Sequence, residues 1–471
     1  MTIHFLISIN TTENCSYFKF YKKIIKMIDG NIGEECSKKE LDMSIRLPIQ
    51  TGIETSQWVT IESPKDRLNN SSITFKISGD SVHYLDLSDI QLSFQVKLVD
   101  SNNSPALIGS GVSPVNNILH SAFKNIQVHI GDHLFETHND LYPFKAYFEN
   151  LLAFNKESKE TILAGEGWGI DKNPSNFNVN QINEVSENNK ITTKAVDANP
   201  VLVERLKKFT DSPDKILEFV GNLHLNISTM DKLLMDMNDV RIELTHNDTS
   251  FYLLGVKDIA KEFKFFYIKA SIQIRKLVVS PSVMLANSNL FNKQPIPLNY
   301  KNVVIKTIPG SQNSTESSFV INSGLLPVRV IVGFIRTAAI KGDYELNPFN
   351  FENFKIKSIK LTLGDNLAIP YSDKLAVDFT NKRYLCAYKS LFSNIKYAPN
   401  NISYDDYANG SFLVAYNLSP DLCTDEHLSL FKKGDLKLDI TLEEGLPFAY
   451  SAICYLESNE TKFLNKSSTL K

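Results

Sequence analysis

Residues 90–99 read IQLSFQVKLV, and this stretch decides the fold class of the first half of the chain. Its apolar members alternate with polar residues, namely Ile90, Leu92, Phe94, Val96 and Leu98. Successive side chains of a strand point to opposite faces, so this period of two predicts a half-buried β-strand. The same alternation recurs in SITFKIS (72–78), FKNIQVHI (123–130), NLHLNI (222–227) and VRIELT (240–245). The first half is therefore predicted to consist mainly of strands.

A polar segment at residues 255–261 interrupts this pattern, and we interpret it as the joint between two halves. Alternating stretches resume after it: ASIQIRKLVV (270–279), NYKNVVIKTI (299–308), LPVRVIVGFI (326–335), FKIKSIKLTLG (354–364), SFLVAYNLS (411–419), GDLKLDITLEE (434–444) and AYSAICYLES (449–458). Strands do not alternate with helices, which argues against a parallel sheet. We predict an all-β chain of two successive antiparallel sandwiches of the jelly-roll kind, each with about eight strands.

Helical patterns are short and lie in two strand-poor stretches, residues 136–217 and 365–410. PFKAYFENLLAF (143–154) repeats apolar residues at helical spacing and has a proline where a first helical turn tolerates one. NPVLVERLKKF (199–209) begins with Asn199 as a candidate N-cap and a proline after it. We predict short helices within long loops that decorate the two sandwiches.

Composition excludes several classes of protein. The 471 residues carry 50 basic and 53 acidic side chains, so a net charge of −3 provides no overall positive field for DNA. Five scattered cysteines form no C-x-x-C pair and are predicted to be free thiols: Cys15, Cys36, Cys386, Cys423 and Cys454. The N-terminal sequence has no signal-peptide pattern, and no apolar run reaches the ~18 residues of a membrane-spanning helix.

The sequence contains only incomplete versions of known catalytic and cofactor-binding motifs. The glycines of GSGVSP (109–114) and AGEGWG (164–169) lack the flanking elements and the lysine of a nucleotide site. His129, His133 and His138 form one dense histidine group, with Asp132 or Asp140 as a third metal ligand. The acidic DKLLMDMNDV (231–240) lacks the glycine and final glutamate of a calcium loop. We predict surface or hydrogen-bonded histidines, and no enzyme, cofactor or metal.

The segment YFKFYKKIIKMI (17–28) is a candidate anion contact. Its lysines at helical spacing share one face, namely Lys19, Lys22, Lys23 and Lys26. Phe20, Ile24, Met27 and Ile28 occupy much of the other face. Such a helix suits DNA phosphates or an anionic lipid surface. The alternative is that the segment packs on its own domain with a solvated lysine face.

From residue 36 to residue 457 the chain resembles the major capsid proteins of Polinton/Maverick elements and adintoviruses. The matching stretches are CSKKELDM, LPIQTGIETSQWV, ISGDSVHYLDLSDIQLSFQVKLV, SPVNNILHSAFKNIQVHI, NDLYPFKAYFENLL, IRKLVVSPSVMLA, LPVRVIVGFI, NPFNFENF, AYKSLF, VAYNLSPD and GDLKLDITLEEGLPFAYSAICYLE, in this order. The resemblance implies a double jelly roll of the adenovirus-hexon-like lineage. It also implies that three copies form a pseudo-hexameric capsomer of an icosahedral shell around double-stranded DNA.

Further expectations follow from this resemblance. The chain would divide into an N-terminal arm (1–45), a first jelly roll (46–257), a second jelly roll (258–458) and a C-terminal tail (459–471). Its partners would be copies of itself and a single jelly-roll penton protein. From the lysine pattern, and not from the resemblance, we expect DNA or an inner membrane to meet the arm. The protein would reside in the virion after assembly in the nucleus or cytoplasm of a host cell. Residues 1–34 and the tail depart from the family pattern, so the lysine face inherits no role from it.

Two other classes of function remain open. A two-domain jelly-roll module could bind carbohydrate through its loops, although fold alone does not decide this. Such a module is expected to show a signal peptide, paired cysteines or clustered calcium ligands, and the sequence has none of these patterns. A cupin-type enzyme would need an H-x-H motif, which does not occur among the nine histidines.

Overall fold

A computed structural model describes residues 48–80, 82–179, 182–185, 191–194, 198–235, 239–364, 367–395, 402–422, 430 and 432–464, with residues 182–185 and 191–194 described by their backbone alone. Residues Gly52–Lys471 form one compact unit. The lysine face formed by Lys19, Lys22, Lys23 and Lys26 lies outside the described residues, as does the whole of the predicted arm (1–45).

The first sandwich is built from two main antiparallel sheets. The strands of this half are β1 (Ile53–Glu62), β2 (Ser72–Ile77), β3 (Tyr84–Val99), β4 (Val112–Pro114), β5 (Phe123–Ile130), β6 (His133–Thr137), β7 (Ile182–Val185), β8 (Ile191–Lys194), β9 (Leu217–Asn222), β10 (Leu234–Met235), β11 (Val240–His246), β12 (Leu253–Gly255) and β13 (Lys264–Val279). One sheet has the order β1-β13-β3-β10, with β9 also paired to β3, and the other has the order β2-β11-β5-β6. β4 pairs with β12, and β7 with β8.

The second sandwich repeats this arrangement. Its strands are β14 (Ile296–Pro309), β15 (Glu316–Leu325), β16 (Arg329–Arg336), β17 (Ile356–Leu363), β18 (Leu367–Ala368), β19 (Leu375–Ala376), β20 (Leu413–Asn417), β21 (Lys433–Leu442) and β22 (Tyr450–Leu464). One sheet has the order β14-β22-β16-β20, and the other has the order β15-β21-β17-β18 with β19 also paired to β17.

Both sandwiches therefore follow one strand order. In each, the first strand lies beside the last, and the second strand pairs with a late strand of the other sheet, β11 in the first sandwich and β21 in the second. This is the order that a jelly roll produces when its chain folds back on itself in two Greek keys. The prediction of two antiparallel jelly-roll sandwiches is confirmed, and the quoted stretches IQLSFQVKLV and GDLKLDITLEE lie in β3 and β21, in different sandwiches.

The position of the joint is wrong in the sequence prediction. The stretch ASIQIRKLVV was assigned to the second half, but it lies in β13, which pairs with β1 and β3 of the first sandwich. The polar segment at residues 255–261 is a turn with a short helix between two strands of the same sandwich. Exposed turns within a sandwich have the same polar composition as linkers between domains, so composition alone could not separate the two.

The predicted tail begins too early. β22 continues to Leu464 and pairs with β14 along its whole length, from Ser451 opposite Pro309 to Leu464 opposite Ile296. Residues 459–464, predicted to belong to the tail, are therefore part of a strand. Backbone hydrogen bonds hold this part of β22 even though its side chains, SNETK, are polar and half-exposed.

The helices are short, as predicted, and connect strands. They are α1 (Ile118–Ser121), α2 (Tyr142–Ala153), α3 (Lys156–Glu160), α4 (Pro200–Asp211), α5 (Thr249–Tyr252), α6 (Lys257–Ala260), α7 (Pro281–Lys293), α8 (Thr337–Lys341), α9 (Leu385–Asn394) and α10 (Tyr404–Ala408), with 3-10 turns at Lys65–Arg67, Ile162–Glu166 and Ile227–Thr229. α2 and α4 confirm the two predicted helices, and the Asn199 side chain caps α4 by accepting a hydrogen bond from the backbone N–H of Val201. No helix of the described chain is long and apolar enough to cross a bilayer.

The hydrophobic core is continuous between the two sandwiches. A single cluster of buried apolar side chains contains Phe94 and Ile272 of the first sandwich together with Val332 and Leu438 of the second. A buried helix, α2, contributes to the same cluster. The two halves consequently share one interior within the unit Gly52–Lys471.

Candidate functional site at the junction of the sandwiches

Helix α2 lies where the two sandwiches meet. Ten of its twelve residues are buried, so it presents almost no solvated face. Tyr147 stacks on Phe349 of the second half, with ring centroids 4.3 Å apart and ring planes 4° from parallel. Phe148 packs against Phe351 at 5.1 Å. Aromatic pairs of this kind add to the free energy of area burial, so α2 joins the two halves by direct packing.

A hydrogen-bonded asparagine reinforces the junction. Asn226 is buried in the loop after β9. Its Nδ2 donates to Oδ1 of Asn302 at 2.9 Å, and its Oδ1 accepts from the backbone N–H of Val303 at 3.2 Å. The same Oδ1 accepts from Nζ of Lys145 at 2.8 Å. One side chain therefore links α2 of the first half to β14 of the second.

Buried charges surround this asparagine. Lys145 is 1% exposed on α2, and Glu136 is 6% exposed at the end of β6. Oε2 of Glu136 accepts from the backbone N–H of Asn226 at 2.6 Å. Burial raises the pKa of Glu136 to about 7, although the charge of Lys145 opposes the shift. Nζ of Lys462, on β22, donates to the backbone carbonyl of Phe135.

A second polar cluster lies beside the first and contains two histidines. We call it the His120 cluster and define it by the side chains of His120, Tyr142, Glu149, Asn150, Glu166 and His224. Nε2 of His120 lies 3.1 Å from Oε2 of Glu166, and its Nδ1 lies 2.8 Å from the Tyr142 hydroxyl. Nδ1 of His224 lies 2.6 Å from Oε2 of Glu149. The two imidazole rings have centroids 4.8 Å apart.

Charge and burial act together in this cluster. Burial lowers the pKa of His120, and the hydrogen bond and negative charge of Glu166 oppose that shift. For Glu166, burial raises the pKa, but the hydrogen bond and charge of His120 outweigh it, and the net pKa lies below its usual value. Asn150 donates from Nδ2 to Oε2 of Glu166 at 2.7 Å. Glu166 is thereby held as a carboxylate inside the protein.

Distant parts of the chain supply the cluster. His120 belongs to α1, Glu166 ends a 3-10 turn, and His224 follows β9, while the supporting groups belong to α2. Gly221 makes room for Glu166, because a Cβ at this position would lie 2.3 Å from Cγ of Glu166. Gly167 ends the 3-10 turn with a φ of +75°, a conformation that favours glycine.

The structure separates the histidines of the dense group found in the sequence. His129 and His133 flank the hairpin between β5 and β6, and His133 is paired with Ile130 across its turn. His138 is buried near Tyr142. Among the described residues, a set of donor atoms close enough for one metal ion occurs at His120, Glu166 and His224 instead. The sequence analysis missed these three residues, because no short motif links positions 46 and 58 residues apart.

The other candidate motifs lie in turns. Gly109 is exposed and Gly111 is buried in the turn before β4, where they have φ values of +91° and +69°. Asp231 accepts hydrogen bonds from the backbone and side chain of Asn299. Residues 236–238 of the acidic segment lie outside the described residues.

Comparisons with known proteins identify the fold. No family model matches the chain. An uncharacterized protein of Caenorhabditis elegans is 21% identical over 414 residues, which cover 84% of this chain and 92% of that protein. The cryo-EM structure of the Sputnik virophage is similar with a TM-score of 0.58 and 9% identity, over 94% of this chain and 93% of that chain. A quasi-atomic model of the PBCV-1 virus capsid gives a TM-score of 0.55 and 9% identity, over 91% and 98%.

These structural similarities extend over both sandwiches. At 9% identity they concern the fold alone, and they agree with the strand order described above. The chain is an all-β double jelly roll.

Proposed function

We propose that this chain is the major capsid protein of a DNA virus or virus-like element. The observation that carries the proposal is the fold, because the chain is similar to a virophage structure and to a virus capsid over 94% and 91% of its length, through both jelly rolls. The resemblance of residues 36–457 to Polinton/Maverick and adintovirus capsid proteins supports the same function independently. In this proposal the protein performs no catalysis, and its activity is self-association.

The repeated strand order supplies a geometric reason for shell formation. Each chain contributes two sandwiches of one topology, so a closed trimer contains six similar units around its axis. Such a trimer is a pseudo-hexameric capsomer, and it can be surrounded by six neighbours in an icosahedral lattice. The two sandwiches share one core, which keeps the spacing of units within a chain fixed during assembly.

Strand β1 offers a surface for contacts between chains. Among the described residues it pairs with β13 on one side only. Most of its side chains are exposed, and these include Ile53 at 39% and Trp58 at 48%. Unpaired edge strands with apolar side chains promote association with other chains. In our proposal the trimer covers this strand, and the aromatic ring of Trp58 is removed from water.

The remaining assignments extend this proposal. Lys19, Lys22, Lys23 and Lys26 would meet DNA phosphates or an inner membrane on the concave side of the shell. A single jelly-roll protein would occupy the five-fold positions. The protein would assemble inside the host cell, in nucleus or cytoplasm, and reside in the virion. The assignment to Polinton/Maverick elements and adintoviruses belongs to the same proposal.

Size-exclusion chromatography with light scattering tests the trimer. A chain of 53.2 kDa should elute as a particle of about three times that mass at micromolar concentration, and electron microscopy should show hexagonal outlines. Trp58→Lys places a charge on the exposed edge and should shift the population towards monomers, whereas Trp58→Phe retains an aromatic ring and should remain trimeric. A monodisperse wild-type monomer at both low and high salt would contradict the proposal. A monomer that binds a glycan array would favour the carbohydrate-binding alternative.

A further inference from the structure

We infer that His120, Glu166 and His224 form a binding site for one divalent transition-metal ion of the zinc class. The site lies inside the first sandwich, at its junction with α2, and is independent of any contact between chains. Two imidazole nitrogens and one carboxylate would hold the ion, and a water molecule would complete its tetrahedral coordination.

The spacing of the donor atoms suits a metal. One donor atom from each of the three residues lies within 4.8 Å of the other two. Zinc bonds of about 2.1 Å in tetrahedral geometry place ligand atoms about 3.4 Å apart. Nε2 of His120 and Oε2 of Glu166 are already 3.1 Å apart.

The supporting hydrogen bonds are those that a metal site needs. A ligating histidine usually donates its other ring N–H to a carboxylate or similar acceptor, which fixes the tautomer and turns the ring towards the ion. Glu149 lies 2.6 Å from Nδ1 of His224 and accepts from it. Nε2 of His224 then carries the lone pair, and this buried atom has no hydrogen-bond partner among the described residues. A buried polar nitrogen without a partner needs a physical explanation, and a bound ion provides one.

His120 can adopt the tautomer that a metal requires. Without an ion, its Nε2–H donates to Glu166, and its Nδ1 accepts from the Tyr142 hydroxyl. When a metal binds Nε2, the ring carries its hydrogen on Nδ1 instead, and this N–H donates to the Tyr142 oxygen. Asn150 continues to orient Glu166 through its 2.7 Å hydrogen bond. Each ligand therefore retains a supporting partner in the metal-bound state.

The charges of the cluster also match a dication. Glu166 and Glu149 together supply two carboxylates, and the positive charge of Lys145 acts on Glu149 and offsets part of their negative charge. Imidazole nitrogen favours zinc and related metals over calcium or magnesium, which prefer sets of oxygen ligands. The bound ion would cross-link three segments that are distant in sequence, α1, the 3-10 turn and the loop after β9. Because His120 and Glu166 are 0% and 4% exposed, the ion would be incorporated as the chain folds.

Metal analysis of the full-length, tag-free protein tests this inference. The protein is expressed in zinc-supplemented medium, purified and dialysed, and its zinc content is measured by mass spectrometry. We expect one zinc per chain. Expression with cobalt should give a protein with intense visible absorption between about 500 and 650 nm, the signature of a tetrahedral ion. Zinc below about 0.2 per chain and a cobalt spectrum without this band would overturn the inference.

Substitutions locate the ion. His224→Ala removes a ligand and should reduce zinc affinity at least 100-fold, as judged by competition with a chromophoric chelator. Glu149→Gln should weaken binding by about 10- to 100-fold, because it removes the carboxylate that orients His224 without removing a ligand. His129→Gln changes a histidine on the β5–β6 hairpin and should leave binding unchanged. Equal zinc binding by His224→Ala and wild type, or an equal loss in His129→Gln, would contradict the site. If His224→Ala does not fold, Glu149→Gln and the wild-type cobalt spectrum decide the question.

Discussion

The stacked pair at the junction makes a quantitative prediction about unfolding. Phe349 is 1% exposed and stacks on Tyr147 at 4.3 Å. Truncating a buried phenylalanine to alanine typically destabilises a protein by about 3–5 kcal/mol. We therefore expect Phe349→Ala to lower the free energy of unfolding by about 4 kcal/mol.

The resulting change in melting temperature depends on how much of the chain unfolds together. The unfolding entropy of about 2.1 cal/mol/K per residue gives about 0.9 kcal/mol/K for the roughly 420 residues of the unit Gly52–Lys471. If both sandwiches unfold as one, 4 kcal/mol lowers the melting temperature by about 4–5 °C. If a sandwich of about 200 residues unfolds alone, the same loss lowers its melting temperature by about 10 °C. The continuous core predicts the smaller shift.

Scanning calorimetry distinguishes these cases. We expect a single endotherm whose calorimetric and van't Hoff enthalpies agree, for both wild type and Phe349→Ala. Tyr147→Phe is the matched control, because it retains the stacked ring, and its melting temperature should stay within about 1 °C of wild type. Two endotherms, or a shift near 10 °C in one of them while the other does not move, would refute the shared core as the source of cooperativity.

Four further outcomes follow from single sites. Arg329→Met leaves the buried carboxylate of Glu457 without the guanidinium that donates to it at 2.9 Å. The free energy of unfolding, measured by denaturant titration, should fall by about 3–5 kcal/mol, and adding Glu457→Leu should recover much of that loss. Gly333→Ala should lower the free energy of unfolding by about 1–3 kcal/mol in the same assay, because the new Cβ would lie 2.5 Å from the Phe351 ring. A smaller loss would mean that the Phe351 side chain shifts freely. Asn199→Ala removes the cap of α4 and also the amide that donates to loop carbonyls. The free energy of unfolding should therefore fall by about 1 kcal/mol or more, and an unchanged denaturation midpoint would contradict this role. Burial raises the pKa of Glu136 from 4.5 to about 7, so the native state binds this proton more tightly than the unfolded chain does. The stability that the proton contributes is complete below pH 4.5 and is lost as the pH rises through 7. Unfolding titrations from pH 4.5 to 8 should show this loss in wild type and a flatter profile in Glu136→Gln.

The sequence was most informative where structure is periodic. Alternation in residues 90–99 correctly predicted β3, because one face of this strand packs into the core and the other does not. The same reasoning identified both long helices of the first half. It could not decide which sheet β13 joins, since strand pairing depends on contacts between segments that lie far apart in sequence, such as Lys264 opposite Val99. The joint was consequently placed before β13 instead of after it.

The candidate site was harder to predict than the fold. Lysine normally lies on the solvated face of an amphipathic helix. Lys145 is nevertheless covered by the second sandwich, and its Nζ donates to the side-chain oxygen of Asn226. His120, Glu166 and His224 come from three separate connections, whose path in space is not encoded by any local period. The sequence did show that the connections in residues 136–217 are long and elaborated. Their role as a polar interior depends on tertiary contacts, which no local sequence pattern encodes.

The burial of α2 between two sandwiches has a consequence for synthesis on the ribosome. Its aromatic contacts with the second half cannot form until Phe349 is made, roughly 200 residues after the helix ends, which takes about 10–40 s at ordinary translation rates. During this interval the nascent chain displays Phe148 and Tyr147 beside a nearly complete first jelly roll. Neighbouring nascent chains on one message expose the same surface, so misassembly competes with folding, and a chaperone that shields aromatic helices would raise the yield of correctly folded chains.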